Sequence, residues 1–426
     1  MKRLPLLLAC LLAPGAAGAY QHDARLSSKL KAEFETAVSS APAGRDLLAR
    51  LKKAGPGYGR LRVLARSDAS DALAWFDPDA DAVYLNSRYI LKFFEAKGFR
   101  DRQVVEVLWS NKAVRAELVK YAAPVYLHEL VHALQFYLYP EYRRDAGGNP
   151  VEFEYEAYLA EDIYVHERMK ADPSLLKSFV AGTYTDLYTA DAFGSYLALS
   201  LDPDRYREKI RRLYEGRGGG YVSMERSETL KASGLEDSKI MAYAAGKVGK
   251  YASDSASLAR LKAQREAFAA SLKDFYAKSW PAFSSDALLF VGGIALEEKN
   301  YPLALDCLAV ADANSPRYGL SPEALEELKT RGAVAVLEAA SFIRDNAGKM
   351  GVEVLSQHLK ALEKACTATG RPFPDDLAAL REKTYPKAMA YYAGKYGAET
   401  DPARRDYYKE NLDYFSAAAG PAPSSP

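Results

Sequence analysis

A mainly helical α+β fold follows from three features of this 426-residue chain. Strand-like runs cluster in one stretch, "GRLRVLA" (59–65), "ALAWF" (72–76) and "AVYLN" (82–86), with "DPDAD" (77–81) as a turn. Helical periodicity fills nearly all the rest. "EGRGGG" (215–220) then reads as a linker between a part that mixes strands with helices and a part with helices only. The expected arrangement is a domain with a small antiparallel sheet over 20–214, an all-α domain over 221–416 and a flexible tail over 417–426.

Each element has its own warrant. Residues 20–55 read as helical, with Leu26, Leu30, Phe34 and Val38 at helical spacing. In "AVYLN", Val83 and Leu85 fall on one face, as alternation in a strand requires. Downstream, "SRYILKFFEAKG" ends at Gly98, and "RQVVEVLW" and "KAVRAELVKYAA" read as further helices. A more apolar helix is expected from Pro124 to Tyr139, where Pro140 stops it. After a loop comes "VEFEYEAYLAEDIYVHERMKA", again helical. In the C-terminal half, "LLFVGGIALEEKNYPLALDCLAVADANSP" is similar to a tetratricopeptide repeat at Gly292, Tyr301, Ala304, Leu308, Ala311 and Pro316. One copy makes no groove, so a helical domain with a single repeat-like hairpin near 285–316, open to a protein partner, is the expectation.

Composition narrows the function. Hydrophobic residues make up 49% and charged ones 27%, a globular balance. Lysine plus arginine (57) nearly cancels aspartate plus glutamate (56), so no global charge favours nucleic acid or an anionic membrane. The N-terminus, "MKRLPLLLACLLAPGAAGA", has Lys2 and Arg3, an apolar run and Ala17-Gly18-Ala19, which is the pattern of a secretory signal peptide over 1–19 cut before Tyr20. The apolar run is too short for a membrane anchor and is interrupted by Pro5, Pro14 and Gly15. Lipid attachment at Cys10 is the lesser alternative, because the apolar stretch before it is short. A secreted or periplasmic protein without a stable membrane span is therefore expected. The mature chain keeps Cys307 and Cys366, either a bridge between two C-terminal helices or two buried thiols.

The chemistry is concentrated in "YLHELVHALQFY" (126–137), which holds two of the chain's five histidines. His128 and His132 lie four residues apart, stacked on one helix face, and can offer two imidazoles to one ion. Glu129 stands about 100° round the helix, beside such an ion without binding it, where it can hydrogen-bond a metal-held water. Val125, Tyr126, Leu127, Leu130, Val131, Ala133 and Leu134 cover every side of this helix, so it is buried. Three ionisable groups there are costly unless a metal compensates them. Two satisfied core histidines with a surface glutamate is the plain alternative.

Over about 72–170 the chain resembles the zincin metallopeptidases, and among them the group whose third zinc ligand is glutamate. "HELVHALQFYL" lacks the glycine and third histidine of the metzincins, while "VEFEYEAYLAED" supplies glutamates on the next helix. The resemblance implies Zn2+ held by His128, His132 and one of Glu152, Glu154 and Glu156. Glu154 fits best, with the small Ala157 three residues on, and Glu156 is the alternative, sharing a face with Glu152 and followed at one turn by Ala160. Asp145 and His166 are weaker ligand candidates. The family's aspartate four residues after the ligand is absent, Tyr158 or Ala160 standing there, so Glu161 or Asp162 is expected to orient a histidine instead.

The activity implied is peptide hydrolysis by a zinc-activated water, with Glu129 as general base. An oxyanion donor is also needed, and nothing in the spacing selects among His166, Tyr155, Tyr158, Tyr184 and Tyr188. "AVYLN" or "ALAWF" is placed to be the edge strand that holds a peptide substrate. Two other readings stay open: a helical binding scaffold with a structural or vestigial zinc site, and a hydrolase of cell-wall peptides. A structural site fills its fourth position with protein, and the vicinity of "HELVH" offers no cysteine or further histidine for that.

Overall fold

The computed structural model describes residues 24–54, 58, 61–66, 72–100, 103–138, 151–182, 187–215, 263, 270, 277–313, 322–400 and 402–419. The signal-peptide segment, Cys10, Asp145, Tyr184, Pro316, most of "EGRGGG" and the end of the tail lie outside them, as does the side chain of Glu152. The described residues divide into two compact units, one over 24–179 and 187–280, the other over 180–182 and 281–419.

The first unit opens with α1 (Ala24–Val38) and α2 (Pro42–Ala54), so the stretch that reads as helical consists of two helices around a tight corner. Gly44 makes that corner: a Cβ there would stand 2.0 Å from the Val38 carbonyl oxygen. Proline starts α2 where its missing N–H is harmless, and Glu167 accepts the next N–H, that of Ala43, at 2.8 Å. Leu26, Leu30, Phe34 and Val38 are all buried, the face that the spacing predicts.

Three strands follow, β1 (Arg62–Arg66), β2 (Ala74–Asp77) and β3 (Ala82–Asn86), in the order β1-β3-β2. The sheet is mixed rather than antiparallel. β2 and β3 form the expected hairpin, with Ala74 opposite Leu85 and Asp77 opposite Ala82, but β1 runs parallel to β3, Arg62 opposite Ala82. Asp77 closes the turn by accepting the N–H groups of Asp79 and Ala80. β3 is paired on both sides and offers no open edge, whereas β2 is an edge strand.

α3 (Ser87–Glu95) is N-capped by Asn86, whose side chain accepts from the Arg88 N–H. After α4 (Val104–Ser110) comes α5 (Lys112–Leu138), 27 residues without a break. The two helices expected from "KAVRAELVKYAA" and from Pro124 onward are one. Pro124 has no N–H for the Lys120 carbonyl, and Arg168 of α6 (Val151–Ala171) donates Nη1 to that oxygen at 2.9 Å instead. An outside donor thus removes one cost of keeping proline inside the helix. At its other end α5 is anchored by Arg115, which is buried and reaches Glu33 with Nε and the carbonyl of Leu108 with Nη1. After α7 (Ser174–Val180), α8 (Leu187–Leu201) and α9 (Pro203–Glu215) pack beside α6 and against each other.

The described residues of the second unit form helices: α10 (Trp280–Glu297), α11 (Tyr301–Ala313), α12 (Pro322–Asn346), α13 (Val352–Ala368), α14 (Asp375–Ala398) and α15 (Pro402–Ala419). The repeat-like positions Tyr301, Ala304, Leu308 and Ala311 are buried, and Gly292 lies under Leu308 and Cys307. Cys307 and Cys366 are free buried thiols, not a disulfide. No helix among the described residues is long and apolar enough to cross a membrane.

Candidate metal centre

α5 runs through the first unit's core with almost no polar face. Along Leu118–Phe136 it buries its apolar side chains together with His128, Glu129 and Gln135. Stacking at four-residue spacing brings the two imidazoles into contact, His128 Nε2 standing 3.1 Å from His132 Nε2. α6 packs against this face and inserts the carboxylate of Glu154, whose Oε2 lies 3.5 Å from His128 Nε2 and 3.4 Å from His132 Nε2. Among the described residues these three form the one cluster of donors suited to a metal ion.

The donor set and its spacing fit zinc. Imidazole nitrogen and carboxylate oxygen are ordinary zinc donors, and bonds of about 2.0–2.1 Å in a tetrahedron place neighbouring donors about 3.3–3.4 Å apart. The observed edges of 3.1, 3.4 and 3.5 Å bracket that value. Glu156 belongs elsewhere: its Oε2 accepts from Gln135 Nε2 at 2.9 Å, and its Oε1 lies 4.0 Å from Arg50.

Both imidazoles are held from behind. Glu161 Oε2 is 3.1 Å from His128 Nδ1, and Gln135 Oε1 is 2.8 Å from His132 Nδ1. Glu154, Tyr158 and Glu161 recur at helical spacing on α6. Tyr158 sets its ring edge-on against His128 at 4.5 Å between centroids, in the place where the resemblance leads one to look for an aspartate. The carboxylate arrives one turn later, at Glu161. Asp162 faces a different cluster, accepting from Tyr206 at 2.6 Å and from Ser195.

Glu129 is buried at 6% exposure and does not join the donor triangle. Its carboxylate accepts the backbone N–H of Phe76 on β2. In the β2–β3 ladder Asn86 donates to the Leu73 carbonyl, so the backbone groups of Ala74 and Phe76 point away from β3. One edge of the sheet is thereby tied directly to the histidine helix, and the Phe76 ring adds contacts with Phe136 and Tyr137.

The electrostatics follow from this packing. Burial pulls the His128 and His132 pKa values down, but hydrogen bonds and the field of Glu154, with Glu161 at His128, outweigh it and leave both raised. Burial pushes Glu154 up, and the two imidazoles overcome it, holding its carboxyl well below the usual range. For Glu129 burial prevails over the pull of both histidines and leaves the pKa raised.

The remaining candidates sit apart from the donor triangle. His166 pairs with the Tyr196 hydroxyl at 3.0 Å, three turns along α6 from Glu154. Tyr155 lies under Arg207, Tyr188 is buried, and the Tyr158 hydroxyl meets that of Tyr214 at 3.4 Å. Gln135 is the residue in contact with the donor cluster that the motif does not announce. Its signal is a further polar residue within an apolar helix, one turn past His132. Comparison with protein-family models, curated proteins and solved structures finds no match to this chain.

Proposed function

We propose that this chain is an exported zinc-dependent peptidase of the zincin kind, with Zn2+ held by His128, His132 and Glu154 and with Glu129 as general base. The observation that carries the reading is the convergence of two imidazole nitrogens and one carboxylate oxygen at edges of 3.1–3.5 Å, beside a buried second carboxylate that binds none of them. A scaffold with a structural zinc needs a fourth protein donor, and among the described residues the cluster has three members.

Zinc in this site supplies a Lewis acid that polarises a carbonyl and acidifies water. The chain's own residues do the rest. Glu129, its pKa raised by burial, takes a proton from water as the oxygen bonds to the scissile carbon. It then delivers that proton to the amide nitrogen as the C–N bond breaks, so one carboxylate serves both halves of the reaction. The Phe76 N–H is taken by Glu129, so on the outer side of β2 the backbone groups of Ala74 and the Phe76 carbonyl are what an extended peptide can pair with. Glu161 and Gln135 hold the imidazoles so that Nε2 of each faces Glu154.

The test is cleavage of a mixed peptide pool by purified protein, followed by mass spectrometry, before and after chelation and with zinc restored. Cleavage that chelator abolishes and zinc restores is expected. Stoichiometric zinc without cleavage of any peptide contradicts the reading.

A further inference from the structure

We propose that Gln135 is the positioning residue that sets both the tautomer of His132 and the spacing between the two helices that carry the donors. The inference rests on the metal site proposed above and adds to it a residue outside the donor set.

The amide of Gln135 has no freedom to turn over. Its Nε2 donates to the Phe153 carbonyl at 3.0 Å and to Glu156 Oε2 at 2.9 Å, one proton to each acceptor. Flipping the amide would set its oxygen against two acceptors. Oε1 is therefore fixed toward His132 Nδ1, 2.8 Å away, and as an acceptor it requires the proton on Nδ1. Nδ1 keeps that proton whether Nε2 holds a proton or a metal, so the lone pair usable for zinc is always the one aimed at Glu154.

The same amide fixes a distance. Phe153 immediately precedes Glu154, and Gln135 lies one turn past His132, so a single side chain, 1% exposed, ties the second imidazole to the backbone that carries the third donor. Glu156 in turn lies 4.0 Å from Arg50 of α2, which extends the chain of contacts from His132 toward the surface. The two imidazoles differ in what stands behind them. His128 has a carboxylate, Glu161, while His132 has a neutral amide whose orientation depends on a carboxylate one step further out.

A swap of the two groups separates positioning from packing. Gln135→Leu removes every hydrogen bond of the amide and should weaken zinc binding by about 10–100-fold, read by competition with a chromophoric chelator. Gln135→Glu keeps an oxygen toward His132 but sets a carboxylate against Glu156 and the Phe153 carbonyl, and should weaken binding similarly. Adding Glu156→Gln to that variant restores a donor between the two side chains but leaves the Phe153 carbonyl without one, so zinc affinity should recover only in part, by about threefold or more over the single variant. Circular dichroism and denaturant unfolding of each metal-free variant report the fold independently, and the Gln135→Glu pair carries the test if Gln135→Leu does not fold. Unchanged affinity in Gln135→Glu overturns the proposal, as does a double variant no better than the single one. A wild-type protein that binds no zinc is a different failure: it removes the metal site itself, and this proposal with it.

Discussion

Glu154 and Glu156 stand two residues apart on α6 and have opposite surroundings. Glu154 faces two imidazole nitrogens, and Glu156 faces an amide and an arginine. Glu154→Ala should cost most of the zinc affinity, because two protein ligands hold zinc poorly, while Glu156→Ala should cost less. Zinc titration of both variants checks the order, and equal loss in the two would contradict it. Acidity acts on the same residues. Zinc must displace protons from His128 and His132, whose pKa values are raised, so affinity should fall as pH drops, approaching two decades per pH unit where both imidazoles are protonated. Zinc binding followed from about pH 8 to 5 tests this, and a flat profile would exclude histidine ligands. The spacing of His128, Glu129 and His132 is legible in the sequence because helix geometry alone decides which face each takes. The choice between Glu154 and Glu156 is not, because it depends on how α6 is rotated against α5, and Gln135 becomes meaningful only once the Phe153 carbonyl is opposite it.

The helix that carries the motif is long because α6 compensates its proline. Arg168→Leu should leave the Lys120 carbonyl without its donor and destabilise the first unit by about 1–3 kcal/mol. Pro124→Ala restores the helical N–H and should recover part of that loss in the double variant. Denaturant unfolding of the four proteins gives the coupling, and strict additivity would show that Arg168 does not act through this carbonyl. The sequence marks Pro124 as a break because proline rules are local, whereas the arginine that relieves it lies 44 positions away in the numbering. The strands follow the same logic. Alternation and the "DPDAD" turn make the β2–β3 hairpin readable, while the parallel pairing of β1 with β3 is set by packing that no short window records.

His128, His132 and Glu154, the three donors that could hold a metal ion, belong with Glu129 to one unit. Removing zinc with a chelator should therefore speed amide hydrogen exchange in α5 and α6 and leave α12–α15 unchanged. Uniform acceleration along the chain would contradict a site confined to the first unit. The helical character of the second unit is plain from periodicity, and Tyr301, Ala304, Leu308 and Ala311 are buried where the repeat-like pattern puts apolar and small residues. Whether Glu129 moves protons and leaves the metal to other residues is decided by one comparison: zinc content and peptide turnover of Glu129→Gln beside the wild-type protein. Equal zinc with turnover reduced by about 10²–10⁴-fold is expected, because the amide keeps the shape of the carboxylate but cannot accept a proton. Undiminished turnover, or zinc lost together with activity, would contradict it.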